Sequence, residues 1–244
     1  MKIDSLTHLY KKQSNPVLDH LSINFDPHKL NVIVGLNGAG KTTLLDILTG
    51  ALHSNHYQPF YKEEEIVYQL QGTPLPSILK GKDIIRLILK CDSTAPFDTI
   101  MEKYYANLNH REQELIKRLW TINMGDMSVG ERRWLIIRSI CQLNRKLYIF
   151  DEPTAGIDPD ARNNIINSIE KLVGKDKIVI MSTHILHELE FTNCKIHFLH
   201  KGKILFEGSY QAFISRYHTK NPDIAFQNFI LEHGGEQYAK NLSS

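Results

Sequence analysis

Cysteine is scarce in this chain: only Cys91, Cys141 and Cys194, odd in number, far apart and without C-x-x-C spacing. That argues against a disulfide framework and fits a reducing compartment. There is no run of 18 or so apolar residues, so no membrane-spanning helix is expected. The opening MKIDSLTHLYKK lacks the apolar core of a signal peptide, and none is expected there. An excess of charge is also missing. Lys and Arg total 29 against 27 Asp and Glu, a net charge of +2, too balanced to suggest a nucleic-acid partner on electrostatic grounds. The 244 residues suffice for one large domain with a full core or for two small ones, and no repeat, low-complexity tract or Gly/Ser linker divides them.

What is present alternates between two periods. IDSLTHLY and VLDHLSINF, within residues 1–30, read as strands with one face in solvent. KLNVIVG, LYIFDEP (147–153) and KIVIMSTH (177–184) are short apolar runs with the β-branched content of buried parallel strands, and IVYQLQ (66–71) is a further strand. KTTLLDILTGAL, DIIRLILK, HREQELIKRLW, ERRWLIIRSICQL and DPDARNNIINSIEKLVGK carry helical spacing, the last opening on Asp-Pro. KIHFLHKGKILFEG reads as a hairpin around Lys201-Gly202, and two short amphipathic helices with a frayed end follow from Ser209. Strands alternating with helices predict an α/β core, with a helical block inserted in the middle.

Between the strand KLNVIVG and the helix that follows lies GLNGAGKTT: Gly35, Leu36, Asn37, Gly38, Ala39, Gly40, Lys41, Thr42 and Thr43. Residues 35–42 fit G-x-x-x-x-G-K-[ST], a pattern that chance composition produces in on the order of one chain in a hundred of this length. Backbone N–H groups can curl around an anion only where no Cβ obstructs them, and a helix N-terminus adds its partial positive charge. In such a cradle Lys41 reaches the β and γ phosphates and the Thr42 hydroxyl ligates Mg²⁺. LYIFDE supplies the carboxylates at a strand's carboxyl end, where open α/β sheets bind ligands. Asp151 is suited to hold Mg²⁺, through water, and Glu152 to polarise a water for attack on the γ-phosphate.

The ordered set of motifs resembles the ATP-binding cassette (ABC) family, specifically a transporter's nucleotide-binding subunit. To GLNGAGKTT and LYIFDE the chain adds VYQLQG (67–72), similar to the Q-loop, and MSVGERR (127–133), similar to the signature sequence. TAGIDP (154–159) resembles the D-loop and MSTH (181–184) the switch-histidine segment, so that the likeness runs from about residue 3 to residue 210. The resemblance implies an α/β fold of P-loop NTPase type. Its core is a mostly parallel sheet, joined by an N-terminal antiparallel β subdomain, a helical subdomain over about 72–145 and a helical extension over 209–244.

By the same resemblance Tyr10 stacks on adenine, worth about 1–3 kcal/mol. Gln71 senses Mg²⁺ and the attacking water, with Gln69 the competing candidate; Gln71 is preferred because it follows the strand's last apolar residue. His184 holds the γ-phosphate, the water and Glu152. Ser128 and Gly130 face the γ-phosphate of a second molecule's ATP, and Asp158 lies at that contact, giving a head-to-tail dimer with two ATPs between subunits. The implied activity is ATP hydrolysis that drives a separate membrane permease, on the inner face of the cell membrane. GLNGAGKTT and the short helical block lean toward export of a peptide, drug or bacteriocin-like compound. The alternatives are a soluble ATPase acting on a ribosome, DNA or a metal-cluster scaffold, and a nucleotide-gated regulatory module.

The signature departs from the common two glycines and glutamine by carrying Val129-Gly130-Glu131. Val129 narrows the backbone freedom and Glu131 adds negative charge near an anion. Restoring glycine and glutamine is therefore expected to speed turnover, unless Arg132 or Arg133 neutralises Glu131. The pairs His53/His56 and His197/His200 have metal-compatible spacing, but no further ligand converges on them. Phe213, Phe226, Phe229 and Ile230 fit equally a core cap or a partner surface.

Overall fold

The computed structural model describes residues 1–11, 13–55, 57–72, 75–92, 96–174 and 176–233. His56 and the end predicted to fray lie outside them. Strands β1 (Lys2–His8) and β2 (Leu18–Asn24) form an antiparallel pair. Six further strands make the main sheet: β3 (Leu30–Val34), β4 (Ile66–Gln69), β5 (Leu147–Asp151), β6 (Ile178–Thr183), β7 (Cys194–His200) and β8 (Lys203–Gly208). Their order is β4-β5-β6-β3-β7-β8, parallel through β7 and antiparallel at β8. The α/β class with a mostly parallel sheet and a separate antiparallel pair is what the alternation of elements predicted.

Period-2 geometry sorts the apolar runs onto two faces of the sheet. Val32, Val34, Tyr148, Phe150, Val179 and Met181 enter one core, while Ile33, Leu147, Ile149, Ile178 and Ile180 enter the other. The second core is closed by α1 (Lys41–Thr49) and the β1–β2 pair. The first is closed by α2 (Gly81–Leu89), α3 (Phe97–Ala106), α4 (His110–Leu119), α5 (Val129–Ile140) and α6 (Pro159–Glu170), with α7 (Tyr210–Arg216) and α8 (Pro222–Glu232) at its edge. Burying each such large apolar side chain stabilises by roughly 1.5–3 kcal/mol, so neither face can be left open to water.

The helix starts carry their own signals. Asn109 and Ser128 cap α4 and α5 in reciprocal boxes with Glu112 and Glu131, and Asp158 caps α6 with Pro159 behind it. Helix α3 had no counterpart in the sequence reading, because FDTIMEKYYA mixes aromatic and β-branched residues of weak helix propensity. The aromatics left open between core and partner surface are core: Phe213 and Phe229 are fully buried, with ring centroids 4.2 Å and 4.6 Å from that of Phe198 on β7. His197 is likewise spent inside the sheet, its Nδ1 2.6 Å from a Glu207 carboxylate oxygen.

Candidate active site

Parallel order gives neighbouring strands a common carboxyl edge, and the chemistry-bearing residues gather there. Gly35 follows β3, Gln71 lies two residues past β4, Asp151 ends β5 with Glu152 next, and His184 follows β6. Residues scattered between 35 and 184 become neighbours because their strands are adjacent.

The loop 35–40 leads into α1 through Gly40, held at φ 106°, where a Cβ would come within 2.9 Å of the Leu18 side chain and 3.0 Å of the Val17 carbonyl oxygen. Glycine is required there by conformation and by space. Having no side chain, Gly40 places no cap over the first-turn N–H groups of α1, and the α1 N-terminus presents them to an anion. Lys41 is 6% exposed; its Nζ donates to the Gly35 carbonyl (2.8 Å) and lies 3.2 Å from Glu152 Oε1. Asn37, Gly38 and Thr42 are open to solvent, whereas Ala39 is buried and Leu36 half-buried.

Thr42 Oγ1 donates to Asp151 Oδ2 at 2.9 Å. The other Asp151 oxygen accepts a hydrogen bond from Ser182 Oγ at 2.5 Å, and Ser182 Oγ in turn accepts the Glu152 N–H at 2.9 Å. A hydroxyl and a carboxylate side by side are hard oxygen donors of the kind Mg²⁺ prefers, so Thr42 and Asp151 fit that ion. Behind them Asp46, to which the Tyr68 hydroxyl donates (2.9 Å), has its pKa raised by burial and, to a lesser degree, by the Asp151 charge.

Glu152 collects the site around itself. Its carboxylate faces Lys41 Nζ at 3.2 Å, accepts from Gln71 Nε2 at 3.1 Å and lies 3.2 Å from His184 Nδ1. Its backbone sits at φ 45°, a left-handed value that costs a non-glycine residue about 1–3 kcal/mol. Arg133 donates from α5 to the carbonyls of Glu152 (3.0 Å) and Pro153 (3.2 Å), and burial lowers the pKa of its guanidinium. Gln69, the competitor of Gln71, is buried and donates to the Leu70 carbonyl at 2.5 Å. Tyr10 stands at the rim, its hydroxyl 3.2 Å from Thr43 Oγ1 and its ring partly exposed. An open cleft of about 770 Å³ runs from Gly38 past Gln13, Ser14 and Asn15 to Lys201.

The turn after Glu152 is tied to the segment after His184. Thr154 Oγ1 donates to Glu188 (2.8 Å), Arg162 Nε stands 3.7 Å from the same carboxylate, and another Arg162 nitrogen donates to the Ile157 carbonyl (3.2 Å). Burial raises the pKa of Glu188. Asp158 is exposed and accepts the Ala161 N–H at 3.0 Å as the cap of α6. Gly130 is buried against this turn: a Cβ there would lie 3.0 Å from that of Ala161 and 3.3 Å from an Asp158 carboxylate oxygen.

One expectation about the signature is corrected. Glu131 is neutralised by Arg118 of α4, not by its neighbours; Arg132 donates to the Met124 carbonyl and Arg133 to the turn at Glu152. Residues one or two apart on a helix point in different directions, so neither adjacent arginine could turn back on Glu131. The carboxylate also accepts the Ser128 N–H (2.8 Å), while Ser128 Oγ accepts the Glu131 N–H (3.1 Å). Burial works to raise the Glu131 pKa, but Arg118 and the Ser128 amide outweigh it and hold it below the ordinary carboxylate value. Glu131→Gln keeps the capping geometry and is expected to leave ATPase turnover within about twofold of wild type. Glu131→Ala, which breaks the box, is expected to cost about 1 kcal/mol of stability in a denaturant melt. A several-fold faster Glu131→Gln enzyme would show that its charge does oppose the phosphate.

Sequence reasoning missed Ser182, Arg118, Arg162 and Glu188, and gave Arg133 a different partner. Ser182 was inside a quoted motif, yet a serine declares its partner only when β5 and β6 are known to be adjacent.

Comparison with known proteins follows the same lines. A family model described as "ABC transporter" matches residues 18–155, more than half of the chain. Protein McbF of Escherichia coli is 31% identical over 214 residues, spanning 84% of each chain. The lantibiotic transport ATP-binding protein SrtF of Streptococcus pyogenes is 26% identical, over 95% of this chain and 97% of that one. Among solved structures, a dimeric bacterial ABC transporter cassette superposes with a TM-score of 0.69 at 19% identity, covering 86% of this chain and 98% of that chain.

Proposed function

The chain belongs to the ABC transporter family and is an ATPase, and from that premise we propose that it is the energy-coupling subunit of an exporter, driving a separate membrane permease. The observation that carries the reading is the convergence of Lys41, Gln71 and His184 on the Glu152 carboxylate, each within 3.2 Å. In this reading Glu152 is the base, Lys41 the phosphate-binding cation, and Gln71 and His184 the hydrogen-bonding groups beside them.

Under this reading the loop 35–43 holds the triphosphate, with Lys41 on the β and γ phosphates. The ribose and base lie toward Gly38 and the cleft along Gln13, Ser14 and Asn15, with the Tyr10 ring stacking on the base. Thr42 and Asp151 hold Mg²⁺, with Gln71 beside them; when bound, that ion neutralises charge on the phosphate oxygens. Glu152 accepts the proton of the attacking water, while Gln71 and His184 keep water and carboxylate aligned. Ser128, Gly130 and Asp158 work across a contact with a second copy of this chain, whose ATP meets the α5 N-terminus. Residues 72–145 act as a helical subdomain inserted between β4 and β5, and α7 and α8 belong to a C-terminal extension of the same single domain, expected over 209–244, of which 234–244 lie outside the described residues.

No helix among the described residues is long and apolar enough to cross a membrane. In this reading the permease is a separate chain. It would hold the subunit on the inner face of the cell membrane. Similarity to a lantibiotic transport protein supports a peptide-like cargo chosen by the permease. Purification of the tagged chain from its native membranes tests this. An integral membrane protein should accompany it in detergent, and addition of that protein should raise the ATPase rate. Purification as a free protein, with no membrane component and no stimulation, would leave the soluble ATPase as the better reading.

A further inference from the structure

Arg133 ends the signature segment 127–133 and has no phosphate-facing role in the reading above, yet two of its contacts are with the backbone that carries the proposed base. We infer that Arg133 is a positioning residue: its guanidinium, anchored in α5, holds the Glu152 backbone in the left-handed conformation that aims the carboxylate at Lys41 and His184. The inference rests on the reading of Glu152 as base.

Three observations support it. First, a glutamate at φ 45° relaxes to an ordinary conformation unless its surroundings over-determine it. Second, both polar groups of its backbone are held, the N–H by Ser182 Oγ at 2.9 Å and the carbonyl by Arg133 at 3.0 Å, with the Ala155 N–H of its own turn a longer second donor at 3.3 Å. The same guanidinium nitrogen reaches the Pro153 carbonyl at 3.2 Å, so the two consecutive peptides 152–153 and 153–154 are tied to one side chain. Charge-assisted hydrogen bonds of this kind are about twice as strong as neutral ones. Third, Arg133 is fixed to an element that has its own partners. It lies five residues past the Ser128 cap and lines a groove of about 300 Å³ with Gln69, Gly72 and Val129. A shift of α5, or of anything seated in that groove, therefore reaches the base through one side chain.

A structural account competes with this one, in which Arg133 only pins helix to sheet. Arg133→Met keeps the aliphatic stem and removes the donors; Arg133→Lys keeps one donor. If Arg133 positions Glu152, hydrogen exchange in the segment 152–157 should quicken about ten- to hundredfold in Arg133→Met and much less in Arg133→Lys. The kcat should fall by a similar factor with the KM for ATP within about twofold, and Arg133→Lys should recover most of the loss. In a Glu152→Gln background, Arg133→Met should lower the residual rate less than twofold further. Wild-type exchange and kcat in Arg133→Met would overturn the inference, as would an equal loss with and without Glu152. Should Arg133→Met not fold, wild-type exchange and kcat in Arg133→Gln would overturn it equally. A wild-type chain that hydrolyses no ATP would refute the reading of Glu152, and the exchange measurement would still decide whether Arg133 holds that backbone.

Discussion

Lys41→Ala should abolish ATP binding at concentrations that saturate the wild type, as measured by equilibrium binding of a fluorescent nucleotide. The lysine is the one cation that the cradle directs inward, 6% exposed and 2.8 Å from the Gly35 carbonyl of its own loop. Charge-assisted hydrogen bonds are worth about 1.5–3 kcal/mol each, so losing those to two phosphate groups corresponds to at least a hundredfold in affinity. The substitution has a second effect. Glu152, 3.2 Å away and nearly as buried, would lose its cation, and breaking a buried pair from one side costs about 3–5 kcal/mol. Reduced stability and lost binding must therefore be separated, by melting the variant without nucleotide and then titrating well below its midpoint. A folded Lys41→Ala protein that binds ATP as the wild type does would remove the phosphate cradle from the argument.

Glu152→Gln should hold nucleotide and lose turnover. General base catalysis contributes about 10²–10⁴-fold, and an amide cannot take the water's proton. Glutamine keeps the size of the side chain and an acceptor for Gln71, while the first-turn amides of α1, Lys41 and Thr42 remain to bind the phosphates. ATP should then persist between two copies, and light scattering with ATP and Mg²⁺ should report a dimer where ADP gives a monomer. Because weak association of the isolated subunits would mimic a failure, the test is repeated in the permease complex by cross-linking the two subunits across the contact at Asp158. Turnover within tenfold of wild type would place the base elsewhere. A subunit that stays monomeric in the complex under saturating ATP would count against the sandwich of two sites.

Much of this site could be read before any coordinates were known, because its residues announce themselves locally. The cradle is contiguous, and Asp151-Glu152 and His184 stand just where apolar runs stop. Gln71 was preferred to Gln69 on the same ground, and it is Gln71 that donates to Glu152. The illegible parts depend on which elements become neighbours. Ser182 bridges Asp151 and Glu152 only because β6 pairs with β5. Arg118 reaches Glu131 from another helix, whereas the sequence offered Arg132 and Arg133 as nearer partners. Gly130 looked like a phosphate contact and also proves to be a packing requirement against Asp158 and Ala161. In the C-terminal segment, the phenylalanines could not be assigned to core or partner until Phe198 was seen to lie beneath them.

The pairing order has a kinetic consequence. β3, which carries the phosphate loop, has β6 on one side and β7 on the other, with Val32 opposite both Met181 and Ile196. Both partners come late in the chain, and β4 and β5, although synthesised before them, do not flank β3 in the finished sheet. During synthesis the cradle therefore waits beside unpaired strand edges until most of the polypeptide has emerged. Closing such long loops costs entropy before any contact rewards it, so folding is expected to be slow and the nucleotide site to be among the last parts assembled. Until then the apolar strand Leu30–Val34 has both edges unpaired, which makes it an aggregation-prone stretch of the nascent chain and a natural point for chaperone attention.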